Sequence, residues 1–269
     1  MIHVITARNR APYKSQLEQM FRLRHEIYVK ERGWTALESE DGLEMDDYDD
    51  ERTIYCLAID DSGEVLGGLR LYPTTGPHLL LDHFPNLVDG EIPRGPDIYE
   101  LTRYFIAPNR RDGGRPIRGE LMCAMFEFAM ARQLTSISLT CDTFFLPGII
   151  RTGWKVRHLG VPADYDEGSA MAVLIPVDQE HLNCTRDAFE IDHPTLFVLP
   201  EHLAPETDFP MVTEIARLFD AMNRIEDAQS REAFEMFLNG LADGDADFSG
   251  GVERIADLIT HPTRTTQEA

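Results

Sequence analysis

The chain has 269 residues, with 25 Lys and Arg against 47 Asp and Glu, for a formal net charge of −22. That balance excludes non-specific nucleic-acid binding, which needs cations to displace counterions from phosphates. No stretch approaches the roughly 18 apolar residues that cross a bilayer, so no membrane partner is expected. The opening MIHVITARNRAPYK lacks the apolar run of a secretory signal. Cys56, Cys123, Cys141 and Cys184 stand far apart, with no His companions at zinc spacing. The expectation is a cytoplasmic protein with reduced thiols and no metal site. Basic residues prevail from Met1 to Trp34 and from Arg103 to Arg118, and acidic ones from Glu38 to Glu64 and after about Pro162.

Residues 12–32 carry Leu17, Met20, Phe21, Leu23, Ile27 and Tyr28 near helical spacing and predict an amphipathic helix. Residues 53–60 and the following VLGGLRLYP predict two strands joined at Asp61-Ser62-Gly63. Residues 98–107 predict a third strand, ended by Pro108-Asn109. The basic loop NRRDGGRP leads into a helix over 116–133, with Pro116 in a favoured first-turn position. SISLTC then predicts a strand, LPGIIRTG a short helix capped by Gly153, and MAVLIPV the final core strand. This order is α/β, a mixed twisted sheet flanked by helices. After His193 the chain turns Pro-rich and irregular. Apolar stripes at Met211, Ile215, Leu218, Phe219, Met222 and at Phe234, Phe237, Leu238, Leu241 then predict an extra C-terminal helical segment. The expected division is a domain over 1–204 and an extension over 205–269, buried on the parent domain or in a homodimer. DGDADFSGG departs from a calcium loop at Phe248 and Arg254 and reads as an acidic turn.

Arginines on a loop at a helix N-terminus suit a phosphate, and this arrangement resembles the acyl-CoA N-acetyltransferase fold. Arg110 and Gly113 fit that fold's loop motif, whereas Arg115 stands where a small residue is usual. More specific is the block holding Arg24, Tyr28, Gly33-Trp34 and Glu44-Met-Asp46-Asp-Tyr48-Asp49, followed by Arg70-Leu-Tyr-Pro-Thr-Thr-Gly-Pro and Glu100-Leu-Thr-Arg103. In order and spacing this set resembles the acyl-homoserine-lactone synthase family over residues 15–178, with Tyr28 where Phe is usual. Taken singly, the acidic run 44–51 reads as a solvated loop, Trp34 as a core anchor, and Arg70 with Glu100 as a structural cross-strand pair. Against those readings, so many ionisable residues interrupting apolar strands is costly unless they pair.

The resemblance implies an acyltransferase that joins an acyl thioester to S-adenosylmethionine and releases methylthioadenosine, with no prosthetic group. Such a substrate needs carboxylates for its cations, an arginine for its carboxylate and aromatic faces for its sulfonium and adenine. Asp46 and Asp49 are candidates for the first, Arg24 or Arg103 for the second, and Trp34, Tyr28 and Phe84 for the third. The resemblance further implies an ion network of Arg24, Asp46, Asp49, Arg70, Glu100 and Arg103, of which Glu100, Arg103 and Arg70 are the catalytic candidates and Glu100 the base. Backbone N–H groups at Ile106 and Ala107 are candidate oxyanion donors. Leu139, Thr140, Phe144, Phe145 and Leu146 are expected to line an acyl pocket. Ungapped counting from Gly153-Trp154 puts Leu139, rather than Thr140, at the position the family associates with a 3-oxo group, so an unsubstituted chain is expected. Arg110, Arg111, Arg115 and Arg118 are expected to dock acyl carrier protein, with acyl-CoA the alternative donor. Alternation puts Glu100 and Arg103 on opposite faces, so the shared network that the resemblance implies requires a bulge or bend between them. The competing readings are an acyl-CoA N-acyltransferase for another amine and a non-catalytic acyl-carrier binding module.

Overall fold

Apolar side chains at nearly every position of IYCLAI leave β2 (Ile54–Ile59) without a polar face, so it must lie inside a sheet covered on both sides. The computed structural model describes residues 1–111, 115–165 and 168–197, and it places β2 there. β2 pairs antiparallel with β1 (Ile2–Ile5) and with β3 (Val65–Pro73), and β3 with β4 (Ile98–Ile106). β4 runs parallel to β5 (Ser136–Asp142), which pairs antiparallel with β8 (Gly168–Pro176). Short strands β6 (Arg157–His158) and β7 (Ala163–Tyr165) pair with β8, and β9 (Leu196–Phe197) runs parallel to β1. The sheet is therefore mixed, as expected.

β1, β9 and helix α5 are among the elements that the sequence does not announce. β1 is four residues and β9 two, too short for alternation to register. Helix α5 (Gln179–Phe189) buries His181 and Thr185 beside Leu182, so its inner face is not an apolar stripe. Asp178 caps it by accepting the His181 N–H at 2.9 Å. MAVLIPV is thus not the last strand.

Helix α3 (Arg115–Ala131) and α5 cover one face of the sheet. Leu121, Ala124, Met125, Phe126 and Phe128 pack there with Ile54, Cys56, Leu69, Leu71, Leu101, Ile137 and Val173. Trp154 joins them, its Nε1 donating to Thr185 Oγ1 at 2.8 Å. The helix expected over 12–32 is regular only as α1 (Lys14–Arg24); over His25–Glu31 the coil widens, with Arg32 N–H donating to the Ile27 carbonyl five residues back. Ile27, Tyr28 and Val29 are buried in succession along this wide turn.

Two irregularities shape the opposite face. The β3–β4 register passes from Gly68–Phe105 to Arg70–Thr102, so β4 carries the expected extra residue, and Arg103 takes a positive φ of 51°. Gly68 makes room for this bulge, since a Cβ there would meet Leu57 Cδ2 at 2.6 Å and the Phe105 ring at 3.0 Å. The same register sets Arg70 opposite Thr102 and Tyr72 opposite Glu100, so the Arg70–Glu100 cross-strand pair does not form. Just before the bulge the parallel ladder of β4 and β5 ends at Leu101–Leu139, while β5 stays paired with β8 as far as Asp142–Ala170. β4 and β5 therefore part, opening a cleft between Thr102–Ile106 and Thr140–Asp142. Short helices α2 (Leu79–Asp82) and α4 (Leu146–Arg151) flank this region, and Gly153 ends α4 at φ 84°, as expected. The boundary expected at 204/205, the C-terminal stripes, the loop at 112–114 and the side chain of Arg115 lie outside the described residues.

Candidate active site

Alternation sends Tyr55, Arg70, Tyr72, Glu100 and Thr102 to the face away from α3, between neighbours that pack in its core. The loop EMDDYDD closes over them. It is pinned by the Glu44 N–H on the Phe21 carbonyl (3.1 Å) and the Asp46 N–H on Asp49 Oδ2 (2.9 Å). Arg24 donates through Nε to Glu44 and through both terminal nitrogens to Asp49, at 2.8 Å each. Arg70 grips both Asp46 oxygens at 2.5 and 2.9 Å and lies 3.0 Å from Asp49. Arg103 donates to Glu44 at 2.9 Å and to Asp46 at 2.8 Å. The result is a closed ring, Arg24–Glu44–Arg103–Asp46–Arg70–Asp49, in which three positive and three negative charges alternate. Arg70 Nε is satisfied by Thr102 Oγ1 at 2.8 Å, and Asp49 also accepts the Tyr55 hydroxyl at 2.9 Å.

Burial and pairing oppose one another here. Burial pushes the Glu44 carboxyl up, but Arg24 and Arg103 more than offset it and hold it at about 2. Asp49 is likewise driven well below the carboxylate range, its burial outweighed by Arg24 and Arg70. The Arg24, Glu44, Asp49 and Arg70 side chains are at most 1% exposed, whereas Arg103 is 7% and Asp46 14% exposed. The ring meets solvent along its Asp46–Arg103 edge.

Sequence reading assigns no role to Glu44, the third carboxylate of the ring, although its spacing with Asp46 is the two-residue step that puts both on one side of an extended loop. Conversely, Glu100 does not enter the ring. Its two oxygens accept the Leu79 and Leu80 N–H groups at 2.9 and 2.8 Å, capping α2, because those orphan donors lie over it. Burial pushes its carboxyl up to about 7, against the pull of those amides and of Arg70. Asp49 and Arg24, expected to face substrate, are enclosed by ring partners.

The remaining candidates divide. Tyr28 and Trp34 stack, with centroids 5.0 Å apart and planes at 17°, and the Tyr28 hydroxyl donates to the Tyr104 carbonyl at 2.9 Å. Phe84 stands apart from them, packed with Leu80, Leu87, Leu159 and Tyr165. The Ala107 N–H is taken by the Leu66 carbonyl at 3.0 Å and so is not an oxyanion donor. Antiparallel alternation then turns the Ile106 N–H away from β3, towards the cleft. Leu139 packs with the α3 cluster, while Thr140 points the other way, its hydroxyl buried without a hydrogen-bond partner among the described residues. Phe145 and Leu146 are half-buried, but Phe144 is 67% exposed. Arg110 pairs with Glu64 and Arg111 with Glu31, each at 2.7 Å, and Arg118 is exposed.

This arrangement can be set beside known proteins. The autoinducer synthase family model matches residues 9–184. The chain belongs to the autoinducer synthase family. The synthase is 42% identical over 189 residues to the isovaleryl-homoserine lactone synthase of Bradyrhizobium diazoefficiens, covering 70% of this chain and 84% of that protein. It is 32% identical over 173 residues to an acyl-homoserine-lactone synthase of Agrobacterium fabrum, covering 62% and 82%. Among solved structures it resembles BjaI, a CoA-dependent acyl-homoserine lactone synthase seen with S-adenosylmethionine and isopentyl-CoA, at TM-score 0.71 and 37% identity over 80% of this chain and 99% of that one. It also resembles the CoA-dependent synthase MesI, at TM-score 0.68 and 37% identity over 73% and 98%. The protein is an enzyme of this class, an acyl-homoserine-lactone synthase.

Proposed function

We propose that this synthase transfers an acyl group from acyl-CoA to the amine of S-adenosylmethionine and then closes the lactone, releasing methylthioadenosine. The observation that carries this reading is the single solvent edge of the neutral ring. A zwitterionic amino-acid head fits it, ammonium on Asp46 and carboxylate on Arg103, each replacing one ring contact so that charge stays balanced. Tyr28, its ring 5.5 Å from the Arg103 guanidinium, and Trp34 offer aromatic faces beside it.

The amine must lose a proton before it attacks the thioester carbonyl and expels the pantetheine thiol. Glu100, with a carboxyl near 7, suits that task, because a base works best with a pKa near the working pH. The Ile106 N–H facing the cleft supports the oxyanion. In the second step the carboxylate oxygen of the same substrate displaces methylthioadenosine from the γ-carbon. The nucleophile is internal and the leaving group a sulfonium, so holding the substrate folded supplies most of the acceleration.

Two observations favour acyl-CoA over acyl carrier protein as donor. BjaI and MesI are CoA-dependent, and Arg110 and Arg111 of the expected carrier patch are engaged by Glu64 and Glu31. The test is methylthioadenosine release with S-adenosylmethionine and matched acyl-CoA and acyl-carrier panels, isovaleryl-CoA among them, with mass spectrometry of the organic extract. Release with acyl-CoA and an acyl-homoserine lactone in the extract are expected. A higher kcat/KM with the carrier-bound acyl group overturns the donor, and silence with every donor overturns the reaction.

A further inference from the structure

A cation already sits beside the open edge of the ring. The guanidinium carbon of Arg32 lies 5.4 Å from the Tyr28 ring centroid, 5.6 Å from Trp34 and 5.5 Å from Phe145. At such distances the negative face of a ring attracts a cation. The ionic partner of Arg32 is Asp142, at 3.4 Å, a looser contact than the 2.5–2.9 Å hydrogen bonds between Arg70 and Asp46. Asp142 also accepts the Tyr165 hydroxyl. Tyr28 and Trp34 belong to the wide helical turn and its exit, whereas Asp142 and Phe145 follow the point where β5 has left β4. Arg32 therefore ties the two sides of the cleft mouth together, and its 29% exposed side chain has a path to water.

We propose that Arg32 is an internal stand-in for the sulfonium of the substrate. It fills the aromatic box of the empty enzyme, yields it to the sulfonium, and returns once lactone closure has left a neutral thioether. This rests on the reading above that S-adenosylmethionine docks its amino-acid head at Asp46–Arg103. The Tyr28 ring is shared between Arg103 and Arg32, and the sulfonium stands three bonds from the α-carbon, so a head at the edge brings the sulfur to the box. Exchanging one cation for another leaves the electrostatics of the box unchanged. The reaction removes the charge from the substrate and not from Arg32, so turnover itself tips the box back to the guanidinium and loosens the product. Arg32 acts here as a specificity residue that admits a sulfonium and resists a thioether.

The test uses the full chain with three ligands: S-adenosylmethionine, its neutral thioether S-adenosylhomocysteine, and trimethylsulfonium. The Arg32 Nε–H signal, assigned by its loss in Arg32→Lys, is followed by NMR, and affinities are measured by calorimetry. S-adenosylmethionine and trimethylsulfonium are expected to shift that signal, and S-adenosylhomocysteine to leave it in place. Arg32→Met keeps an apolar stem in the box without the charge. It should tighten S-adenosylmethionine about three- to tenfold, in line with a single cation–π competitor. S-adenosylhomocysteine should change less than about twofold, and Arg32→Lys should stay near wild type, since it keeps a cation there. Bound S-adenosylmethionine that leaves the Arg32 signal unmoved, or binds Arg32→Met more weakly, overturns the proposal while the synthase reading stands. Trimethylsulfonium that shifts Arg32 in a protein to which S-adenosylmethionine does not bind upholds the sulfonium box and removes the reading of the substrate.

Discussion

The two faces of β2, β3 and β4 share one backbone and opposite chemistries. Ile54, Cys56, Leu69, Leu71 and Leu101 enter the core under α3; one position along, Tyr55, Arg70, Glu100 and Thr102 enter a region of paired charge. The first face stabilises the fold in proportion to the apolar area it removes from water. The second gains little net stability, because stripping water from six charges offsets most of their mutual attraction. A well-packed apolar plug would hold the sheet as firmly, but it has no contact to exchange with a zwitterion. One face makes the protein stable, and the other holds a geometry that substrate can enter.

Breaking the ring should have the largest effect. Glu44→Gln keeps the size of the side chain but leaves Arg24 and Arg103 without their shared counter-charge. It is expected to lower the unfolding free energy by roughly 3–5 kcal/mol and to abolish turnover. Chemical denaturation checks this, and a loss below about 1 kcal/mol would show that the ring is not a unit. The pH dependence has a definite sign. The Glu44 carboxyl is depressed from 4.5 to about 2, so its stabilisation is complete above 4.5 and is lost as pH falls towards 2. The variant should lack that share of the acid loss.

On the apolar face, Leu121→Ala should cost about 3 kcal/mol by cavity formation, within the usual range for buried leucines. The affinity of the folded fraction for S-adenosylmethionine should be unchanged; a tenfold weaker affinity would mean the two faces are coupled through the strands. Glu100→Gln comes next. Acylation should slow at least about a hundredfold, about 2.7 kcal/mol in the barrier, with substrate affinity kept within roughly tenfold. The wild-type rate should rise through a pH near 7 as the buried carboxyl loses its proton, and the variant should lose that limb. Near-normal acylation would reduce Glu100 to the anchor of α2. The smallest effect belongs to Tyr28→Phe, which loses the bond to the Tyr104 carbonyl. It should cost about 1 kcal/mol of stability, with turnover within a few-fold of wild type; a hundredfold loss in turnover would give the hydroxyl a part in the chemistry.

Arg70 and Arg103 are legible in the sequence because each interrupts a strand of apolar residues, where an unpaired charge would be prohibitive. An irregularity near Arg103 is legible only when alternation is combined with the resemblance, which assigns Arg103 to a face that a regular strand would deny it. Glu44 is harder to single out, since EMDDYDD offers several acids and only the backbone path of the loop, fixed partly by the Phe21 carbonyl, decides which of them turn inward. Glu100 is found, but its partners are backbone amides of α2, which no residue pattern marks. The parting of β4 and β5 depends on where a ladder ends, and the Arg32 contact with Asp142 joins residues 110 positions apart. Neither leaves a local trace.

The closed ring also constrains how this site can change by descent. Six alternating members balance only as a set, so losing any one strands a charge that no neighbour can absorb. Conservative exchange does not escape this, since Lys in place of Arg loses the fork that grips two carboxylates at once. A lineage altering this centre must replace an acid and a base together, or pass through a poorly folded ancestor. These six positions are therefore expected to vary in couples or not at all.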